Sequence, residues 1–376
     1  MKKENIDFLD VLKYISNSYG TNFDISNGMQ ELKNVFTPKK KTLYILLDAL
    51  GYYKVQSLDS TSILKKNCLK KIETLIPTST ACIFNSLYTG KYPYEHGKFG
   101  WWSYSKKRDL SYTVLPVINR FSDKSLEDEN IQLDEIYDLD CIFSKFKFPV
   151  NIYLEDDLVN STFQNAFFEG IENVKRNEFK NMKDAFEKVT KDLKENNEKS
   201  FNLLYFDDLD INSHICGPDS ENAGLVISDF EKYIQILVDE KIEDLSIVVV
   251  ADHGQVPIYK TIYLNEKHDF DKYFYAAPSC DTRMQFFFVK KECIPEFKEK
   301  FKENFEKYFD LYEKDKFKEI FKAPYFSEMA EDAMGEFVSI AKKNVVFTFE
   351  KYDKQLTLGG HSALTKQELY TPLICI

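Results

Sequence analysis

The side chains best suited to chemistry in this chain are acids and histidines that follow apolar runs or lie on glycine-marked turns. Asp210 and His214 are four residues apart, a spacing that puts both on one side of a helical turn, as two ligands of one metal ion must be. The full set is Asp48, Asp210, His214, Asp252, His253 and His361. Mixed aspartate and histidine ligands suit zinc, with manganese or iron as alternatives, and six ligands fill two sites of three that stay open to substrate. Two such ions about 4 Å apart can assist displacement at phosphorus.

Thr80 is a candidate nucleophile. Pro77 and the hydroxyl residues after it predict the start of a helix, apolar residues follow at helical spacing, and Gly90 is placed to end the helix. The positive end of a helix favours an oxyanion or a phosphate, and a threonine hydroxyl becomes a useful nucleophile when a metal ion activates it. The commoner use of such a residue is to cap the helix. The acids and histidines elsewhere in the chain shift the balance toward catalysis.

Three continuous apolar runs must position these groups: residues 41–47, 201–206 and 245–251, each followed by an aspartate. Such runs are typical of buried parallel strands, and the helical sequence between them predicts crossover connections. The carboxyl ends of parallel strands meet at one edge of the sheet, where ligands bind. We therefore expect an α/β fold with a central, mostly parallel sheet flanked by helices. An aspartate such as Asp48 could alternatively cap the helix that follows it.

The alternation of strand and helix ends after the third run. Residues 284–290 are strand-like, whereas 291–322 and 325–342 carry Lys, Glu and Phe at a spacing that predicts helices. The chain closes in a predicted terminal strand, at residues 370–376. We expect a smaller inserted or capping subdomain at residues 255–357 and a hydrolase core formed by residues 1–254 and 358–376.

Composition limits the classes of function. Of the 376 residues, 43% are hydrophobic and 15% aromatic, which predicts a packed interior, and 50 basic against 61 acidic residues give a net charge of −11. An acidic chain disfavours non-specific nucleic-acid binding, although a local metal site still attracts phosphate. No apolar run approaches the roughly 18 residues needed to cross a bilayer. The first residues carry acids where a signal peptide is apolar, and the seven cysteines form no C-x-x-C pair. We therefore expect a cytoplasmic protein with reduced cysteines, no membrane association and no stable nucleic-acid partner.

Five blocks in order along nearly the whole chain carry a family resemblance. They are LLDALG ending at Gly51, PTSTACIFNSLYTGKYPYEHG from Pro77 to Gly97, DINSHICGP from Asp210 to Pro218, VVVADHG from Val248 to Gly254 and LGGHSALT from Leu358 to Thr365. With these blocks the chain resembles the alkaline phosphatase superfamily, and within it the type I phosphodiesterase and nucleotide pyrophosphatase family. Each block is moderately specific, and five in the family's order are highly specific.

The resemblance implies two zinc sites of three ligands each: Asp210, His214 and His361 for one, and Asp48, Asp252 and His253 for the other. It implies that Thr80 binds the second ion and is the nucleophile. The activity implied is hydrolysis of phosphoester or phosphoanhydride bonds through a phospho-threonine intermediate, by a di-zinc phosphodiesterase or nucleotide pyrophosphatase. The substrate would be a phosphate-containing small molecule, with nucleotides among the candidates. The alternatives are a phosphomonoesterase or phosphonate hydrolase on the same scaffold, or a catalytically silent binding or regulatory member.

The chain departs from the family pattern beside the second block. Family members usually have an asparagine that helps to bind a phosphate oxygen a few residues beyond the HG pair, but residues 99–102 here are Phe, Gly, Trp and Trp. We expect the backbone N–H of Thr80 and zinc to hold the oxyanion instead. Trp101 and Trp102 either form a wall for a flat leaving group or bury into the subdomain interface. We expect His96 to support the turn and not to bind metal.

Overall fold

The computed structural model describes residues 5–264, 269–349 and 357–376. Within these residues the strands, in chain order, are β1 (Lys41–Leu47), β2 (Cys68–Glu73), β3 (Trp102–Ser105), β4 (Leu110–Thr113), β5 (Ile118–Asn119), β6 (Val150–Glu155), β7 (Val174–Phe179), β8 (Ser200–Phe206), β9 (Leu245–Val250), β10 (Val256–Pro257), β11 (Lys260–Tyr263), β12 (Phe274–Cys280), β13 (Met284–Val289), β14 (Phe309–Glu313), β15 (Phe337–Ala341), β16 (Val345–Thr348), β17 (Gly359–Gly360) and β18 (Tyr370–Cys375).

The α-helices of the same residues are α1 (Phe8–Ser18), α2 (Asn27–Leu32), α3 (Tyr52–Ser57), α4 (Ile63–Lys66), α5 (Thr80–Thr89), α6 (Pro93–His96), α7 (Thr162–Phe168), α8 (Met182–Glu195), α9 (Asp208–Cys216), α10 (Glu221–Asp239), α11 (Ile294–Phe305), α12 (Lys314–Phe321), α13 (Glu328–Ala333) and α14 (Lys366–Leu369). Short 3-10 helices cover Leu133–Glu135, Ile142–Lys145, Phe270–Tyr273 and Lys291–Cys293.

The central sheet has the strand order β2-β18-β9-β1-β8-β6-β7. The three apolar runs become β8, β1 and β9, which lie side by side in parallel and are buried along their whole lengths. Their ends are level, since Leu47 pairs with Phe206 and Leu46 with Val250. The last strand, β18, is antiparallel to both of its neighbours. The predicted α/β fold with a mostly parallel central sheet is confirmed, and the aspartates that follow the three runs meet at one edge.

Helices cover both faces of the central sheet because alternate residues of each strand point to opposite faces. Along β1, Tyr44 and Leu46 join the core that includes α1, α5 and α7. Leu43, Ile45 and Leu47 join the core that includes α8 and α10. The apolar run of β1 therefore packs on both sides, as a strand in the middle of a parallel sheet must.

A second seven-stranded sheet has the order β14-β15-β13-β12-β3-β4-β5, and each of its neighbouring strand pairs is antiparallel. A phenylalanine-rich core packs against it, with Phe286 and Phe288 from β13 and Phe297, Phe301 and Phe305 from α11. Its strands β3 to β5 come from residues 102–119, and the others come from residues 274–341. The second sheet thus draws on both parts of the predicted division at residue 254, and the domain boundaries stay a prediction.

The prediction of helices at residues 291–322 and 325–342 is wrong in part. The first stretch contains α11 and α12 with the strand β14 between them, and the second contains α13 followed by β15. The backbones of β14 and β15 pair in antiparallel fashion, with Leu311 opposite Ser339. The two strands are only five residues long and contain one phenylalanine each, so they do not interrupt the helical spacing of the flanking sequence clearly enough to be recognised.

Two further properties belong to the molecule as a whole. Among the described residues, we find no helix with both the length and the apolar composition that a bilayer-crossing segment requires. All seven cysteines are free thiols, and three of them, Cys82, Cys141 and Cys280, are buried.

Candidate active site

Asp48 lies directly after β1 and Asp252 lies two residues after the end of β9, and hydrogen bonds tie these strand ends together. The chain turns at Ala49, whose φ is 63°, and the Ala49 N–H donates to Asp252 Oδ1 at 3.1 Å. The Tyr205 hydroxyl donates to Asp48 Oδ2 at 2.7 Å. The other oxygens, Asp48 Oδ1 and Asp252 Oδ2, are buried and have no hydrogen-bond partner within the described ranges. Buried carboxylate oxygens without donors are suited to a cation.

His253 is fully buried and brings its Nε2 to these oxygens. Nε2 lies 3.2 Å from Asp252 Oδ2 and 3.6 Å from Asp48 Oδ1. The hydroxyl of Thr80 is also near, with Oγ1 at 3.1 Å from the same nitrogen. The second predicted ligand set and the predicted nucleophile therefore occupy one small volume.

The first predicted set lies beside it. On α9, His214 Nε2 lies 3.4 Å from Asp210 Oδ2, as the spacing of four predicts. His214 Nδ1 lies 2.9 Å from the Gly359 carbonyl, and His361 Nδ1 lies 2.8 Å from the Thr78 carbonyl. A ring N–H that donates to a carbonyl leaves Nε2 with its lone pair available, which is the usual support for a metal-binding histidine.

His361 links the two sets. Its ring stacks on that of His253 with centroids 3.8 Å apart and lies 5.1 Å from that of His214. The described residues contain two groups of three side chains whose ligand atoms lie within 4.8 Å of one another inside each group. The groups are Asp210, His214 and His361, and Asp48, Asp210 and His253. The first group is the predicted one. The second has Asp210 where the prediction has Asp252, although Asp252 also contacts His253. The structure thus brings all six predicted side chains together.

The spacing of these atoms can be tested against a metal site. Metal–ligand distances of about 2.0–2.1 Å in a tetrahedral zinc site separate neighbouring ligand atoms by about 3.3 Å. The separations of 3.2, 3.4 and 3.6 Å between carboxylate oxygens and imidazole nitrogens are close to that value. The residues present therefore fit divalent cations that prefer oxygen and imidazole ligands.

Burial dominates the electrostatics of the site. It raises the pKa of Asp48 well above its usual value, with repulsion from Asp252 and Asp210 adding to the shift. It also raises the pKa of Asp210 to about 6. Burial lowers the pKa of His253 to about 3 and that of His361 well below its usual value, and repulsion between histidines adds to both shifts. The imidazoles of His253 and His361 are therefore neutral, and nearby positive charge would favour the ionised form of Asp48.

Thr80 is the first residue of α5, and its side chain does not cap the helix. Ser79 is the N-cap residue, and its hydroxyl donates to Asp281 Oδ2 at 2.9 Å instead of accepting from the helix. Thr80 Oγ1 lies 3.4 Å from Asp48 Oδ2 in addition to its contact with His253. At the other end of the helix Gly90 has φ of 69°, as a left-handed C-cap requires. The hydroxyl therefore faces the acids and histidines, and the first-turn N–H groups have no side-chain cap from Ser79.

The motif blocks do not include several residues that hold this arrangement. The Gln255 amide donates to Asp210 Oδ1. The buried guanidinium of Arg283 makes two bonds to Glu368, at 2.7 and 3.0 Å, and Glu368 accepts from the Ala363 N–H beside His361. Gln255 directly follows the DHG sequence and could have been suspected from that position. Arg283 has no comparable signal, because its partner is far away in the sequence.

A cavity of about 830 Å³ opens from Thr80 and is lined by both sheets and their helices. Trp101 and Trp102 both line it, and Trp101 is 38% exposed. The Arg120 guanidinium lies 4.5 Å from the Trp102 ring centroid. His96 is outside the cavity: its Nε2 is 2.8 Å from Ser86 Oγ, and its Nδ1 accepts from the Lys98 N–H at 3.0 Å. It supports the turn, as predicted.

Comparison with protein-family models gives a match over most of the chain. The family model described as type I phosphodiesterase / nucleotide pyrophosphatase matches residues 45–364. No curated protein sequence matches this chain significantly.

Several solved structures share its fold. Human ectonucleotide pyrophosphatase / phosphodiesterase 5 is 18% identical with a TM-score of 0.66, and the match covers 89% of this chain and 87% of that one. An inactive threonine-to-alanine variant of the murine protein, in complex with AMP, is 16% identical with a TM-score of 0.64 and coverages of 90% and 87%. Phosphonoacetate hydrolase from Sinorhizobium meliloti 1021, in complex with phosphonoformate, is 16% identical with a TM-score of 0.60 and coverages of 90% and 89%.

Proposed function

The chain belongs to the type I phosphodiesterase / nucleotide pyrophosphatase family, and on that basis we propose that it is a metal-dependent phosphoric ester hydrolase. In its specific form, the proposal is a phosphodiesterase or nucleotide pyrophosphatase that cleaves phosphoester or phosphoanhydride bonds through a phospho-threonine intermediate. One observation carries it: the Thr80 hydroxyl, at the start of α5, lies 3.1 Å from His253 Nε2 and 3.4 Å from Asp48 Oδ2. A helix cap has no need of such neighbours.

The metal ions of this proposal are two zinc ions, with manganese or iron as alternatives. The residues that would hold them are Asp210, His214 and His361 for one, and Asp48, Asp252 and His253 for the other. The support is the set of carboxylate–imidazole separations and the unpaired buried oxygens. When bound, divalent cations supply Lewis-acid stabilisation of the negative charge that develops during phosphoryl transfer.

The chain's own groups suggest how the reaction proceeds. Thr80 Oγ1 attacks phosphorus and forms the new O–P bond as the bond to the leaving oxygen breaks, and the threonine proton passes through solvent to that leaving oxygen. Water then cleaves the phospho-threonine bond, which returns the hydroxyl to Thr80 and releases the phosphate product. The uncapped first turn of α5 offers backbone N–H donors and the positive end of a helix dipole to the phosphoryl oxygens. These donors would replace the amide that family members usually supply near residues 99–102.

The substrate class remains part of the proposal. The cavity next to Thr80 is large enough for an organic substituent on phosphorus, which favours a diester or anhydride over a small phosphate ester. The AMP bound by the murine relative makes nucleotides the first compounds to test. The phosphonate bound by the bacterial relative makes a phosphonate hydrolase the second candidate. A catalytically silent member is disfavoured by the presence of Thr80 and all six predicted ligands.

The test compares hydrolysis of bis-p-nitrophenyl phosphate and p-nitrophenyl phosphate by the zinc-supplemented protein. We expect the diester to be the better substrate, and Thr80→Ala to lower its kcat/KM by at least about 10³-fold because the nucleophile is lost. Thr89→Ala, at the other end of the same helix, is the matched control and should retain activity within a few-fold. Equal rates for Thr80→Ala and the wild type would reject Thr80 as nucleophile.

A further inference from the structure

Gln164 has a buried amide that the proposed reaction does not use. It lies on α7, is 4% exposed and lines the cavity. The Tyr88 hydroxyl donates to its Oε1 at 3.0 Å, which directs its Nε2 away from Tyr88. Within the described residues that Nε2 has no hydrogen-bond partner. The rest of the side chain is buried, so the amide N–H at the cavity wall is the part of Gln164 that a bound group can reach.

The amide lies at the end of the cavity that is far from the nucleophile. Tyr88, which holds Gln164, follows Thr80 by eight residues on α5, and this corresponds to about 12 Å along the helix axis. Phe84 lies between them on the same helix and also lines the cavity. A group bound to phosphorus at Thr80 would therefore have to extend past Phe84 to reach Gln164.

The walls near Gln164 are mainly apolar. They include Leu115 and Pro116 after β4, Leu154 on β6, and Leu158 and Phe163 near or on α7. Ser161, also at this end, accepts from the Gln164 N–H as the N-cap of α7. The Gln164 amide is thus a hydrogen-bond donor in largely apolar surroundings, where it favours an acceptor strongly.

We infer that Gln164 is a specificity-determining residue: it donates a hydrogen bond to an acceptor at the far end of an elongated, mainly apolar or aromatic substituent on the phosphate of the substrate. The inference rests on the proposed function for the phosphate end of that substrate. A site with a buried donor discriminates against ligands that lack the acceptor, because the donor is then left unpaired in the complex. Phosphate compounds whose substituent ends in a plain hydrocarbon should therefore bind less well.

The test measures binding to the zinc-supplemented protein by calorimetry and needs no turnover. The probes are biphenyl-4-yl phosphate and 4′-cyanobiphenyl-4-yl phosphate, which differ in a nitrile acceptor at the far end, with inorganic phosphate as reference. We expect the wild type to prefer the cyano probe by about ten-fold. Gln164→Met, which keeps the length of the side chain but removes the donor, should bring that preference to about one and leave phosphate binding unchanged.

A second variant tests the fixed orientation of the amide. Tyr88→Phe keeps the ring in its packed position and removes the hydroxyl that holds Oε1, so we expect the preference for the cyano probe to fall to a value between those of the wild type and Gln164→Met. Persistence of the full preference in Gln164→Met, or phosphate binding without any preference in the wild type, would overturn the role of Gln164 and leave the proposed function standing. Absence of phosphate binding in the wild type would overturn both.

Discussion

The two seven-stranded sheets contribute to the candidate active site in different ways. The central sheet is mostly parallel, and the level ends of β8, β1 and β9 bring acids to one edge as a direct result of its connectivity. The second sheet is antiparallel and joins strands that are far apart in sequence, so that Trp102 on β3 neighbours Cys280 on β12. It supplies cavity walls. Arg283, just before β13, also holds Glu368, which accepts a hydrogen bond from the backbone beside His361. We therefore expect variants at the first sheet's edge to change rate and metal content, and variants in the second to change substrate preference or stability.

The largest effect is expected at the edge of the central sheet. Asp210→Asn removes a carboxylate that belongs to both candidate ligand groups, so we expect kcat/KM to fall by at least about 10³-fold and the zinc content to fall with it. Asp208→Asn, two positions before Asp210 in the first turn of α9, is the control and should retain zinc and most activity. Full activity and full zinc content in Asp210→Asn would refute the proposed metal site.

The next effect concerns the connection between the sheets. Arg283→Met leaves Glu368 buried without its partner, so we expect a loss of about 3–5 kcal/mol in the free energy of unfolding, measured by urea denaturation. The double variant Arg283→Met with Glu368→Leu should regain part of that loss, because no charge is then left unpaired. A double variant less stable than the single one would show that the charges themselves are needed at this position.

A smaller effect, on substrate binding, is expected for variants in the cavity wall next to the second sheet. Trp101→Ala should raise KM for bis-p-nitrophenyl phosphate by about two- to ten-fold, the range expected for a lost aromatic contact, with little change in kcat. Tyr259→Ala is the control, since Tyr259 is 65% exposed and does not line the cavity. An unchanged KM would favour a purely structural role for Trp101.

The smallest effect concerns how the stability of the fold depends on pH through an acid at the edge of the central sheet. Burial raises the pKa of Glu155, at the end of β6, from 4.5 to about 7, and nearby acids such as Asp207 add to the shift. An acid with a raised pKa in the folded state destabilises the fold as pH rises from about 4.5 through 7, because ionisation is easier in the unfolded chain. Glu155→Gln should therefore increase Tm at pH 8 and have less effect at pH 4. An equal change in Tm at both pH values would contradict this.

The sequence predicts the central sheet well and the second sheet poorly, for a physical reason. The runs of β1, β8 and β9 are continuous and apolar because both faces of a parallel sheet are covered, so each strand is visible by itself. Strands β3 and β4 have four residues each, and β14 mixes aromatic and charged residues. What defines them is pairing with distant strands, which no local pattern records.

The same distinction applies within the site. The six acids and histidines of the candidate metal site follow apolar runs or lie on marked turns, and for that reason they could be predicted. Arg283, Gln164 and Asp281 could not, because each matters through a neighbour contributed by another part of the chain: Glu368, Tyr88 and Ser79. Residue type shows which groups can react, whereas long-range packing determines which groups support and select.

The position of β18 has a consequence for how the protein is made. The final strand in the sequence lies inside the central sheet, between β9 and β2. During synthesis, a nascent chain that has already formed β9 exposes an open backbone edge until β18 has left the ribosomal tunnel and paired with it. Chaperone protection of that edge would matter most in the interval between the emergence of β9 and that of β18.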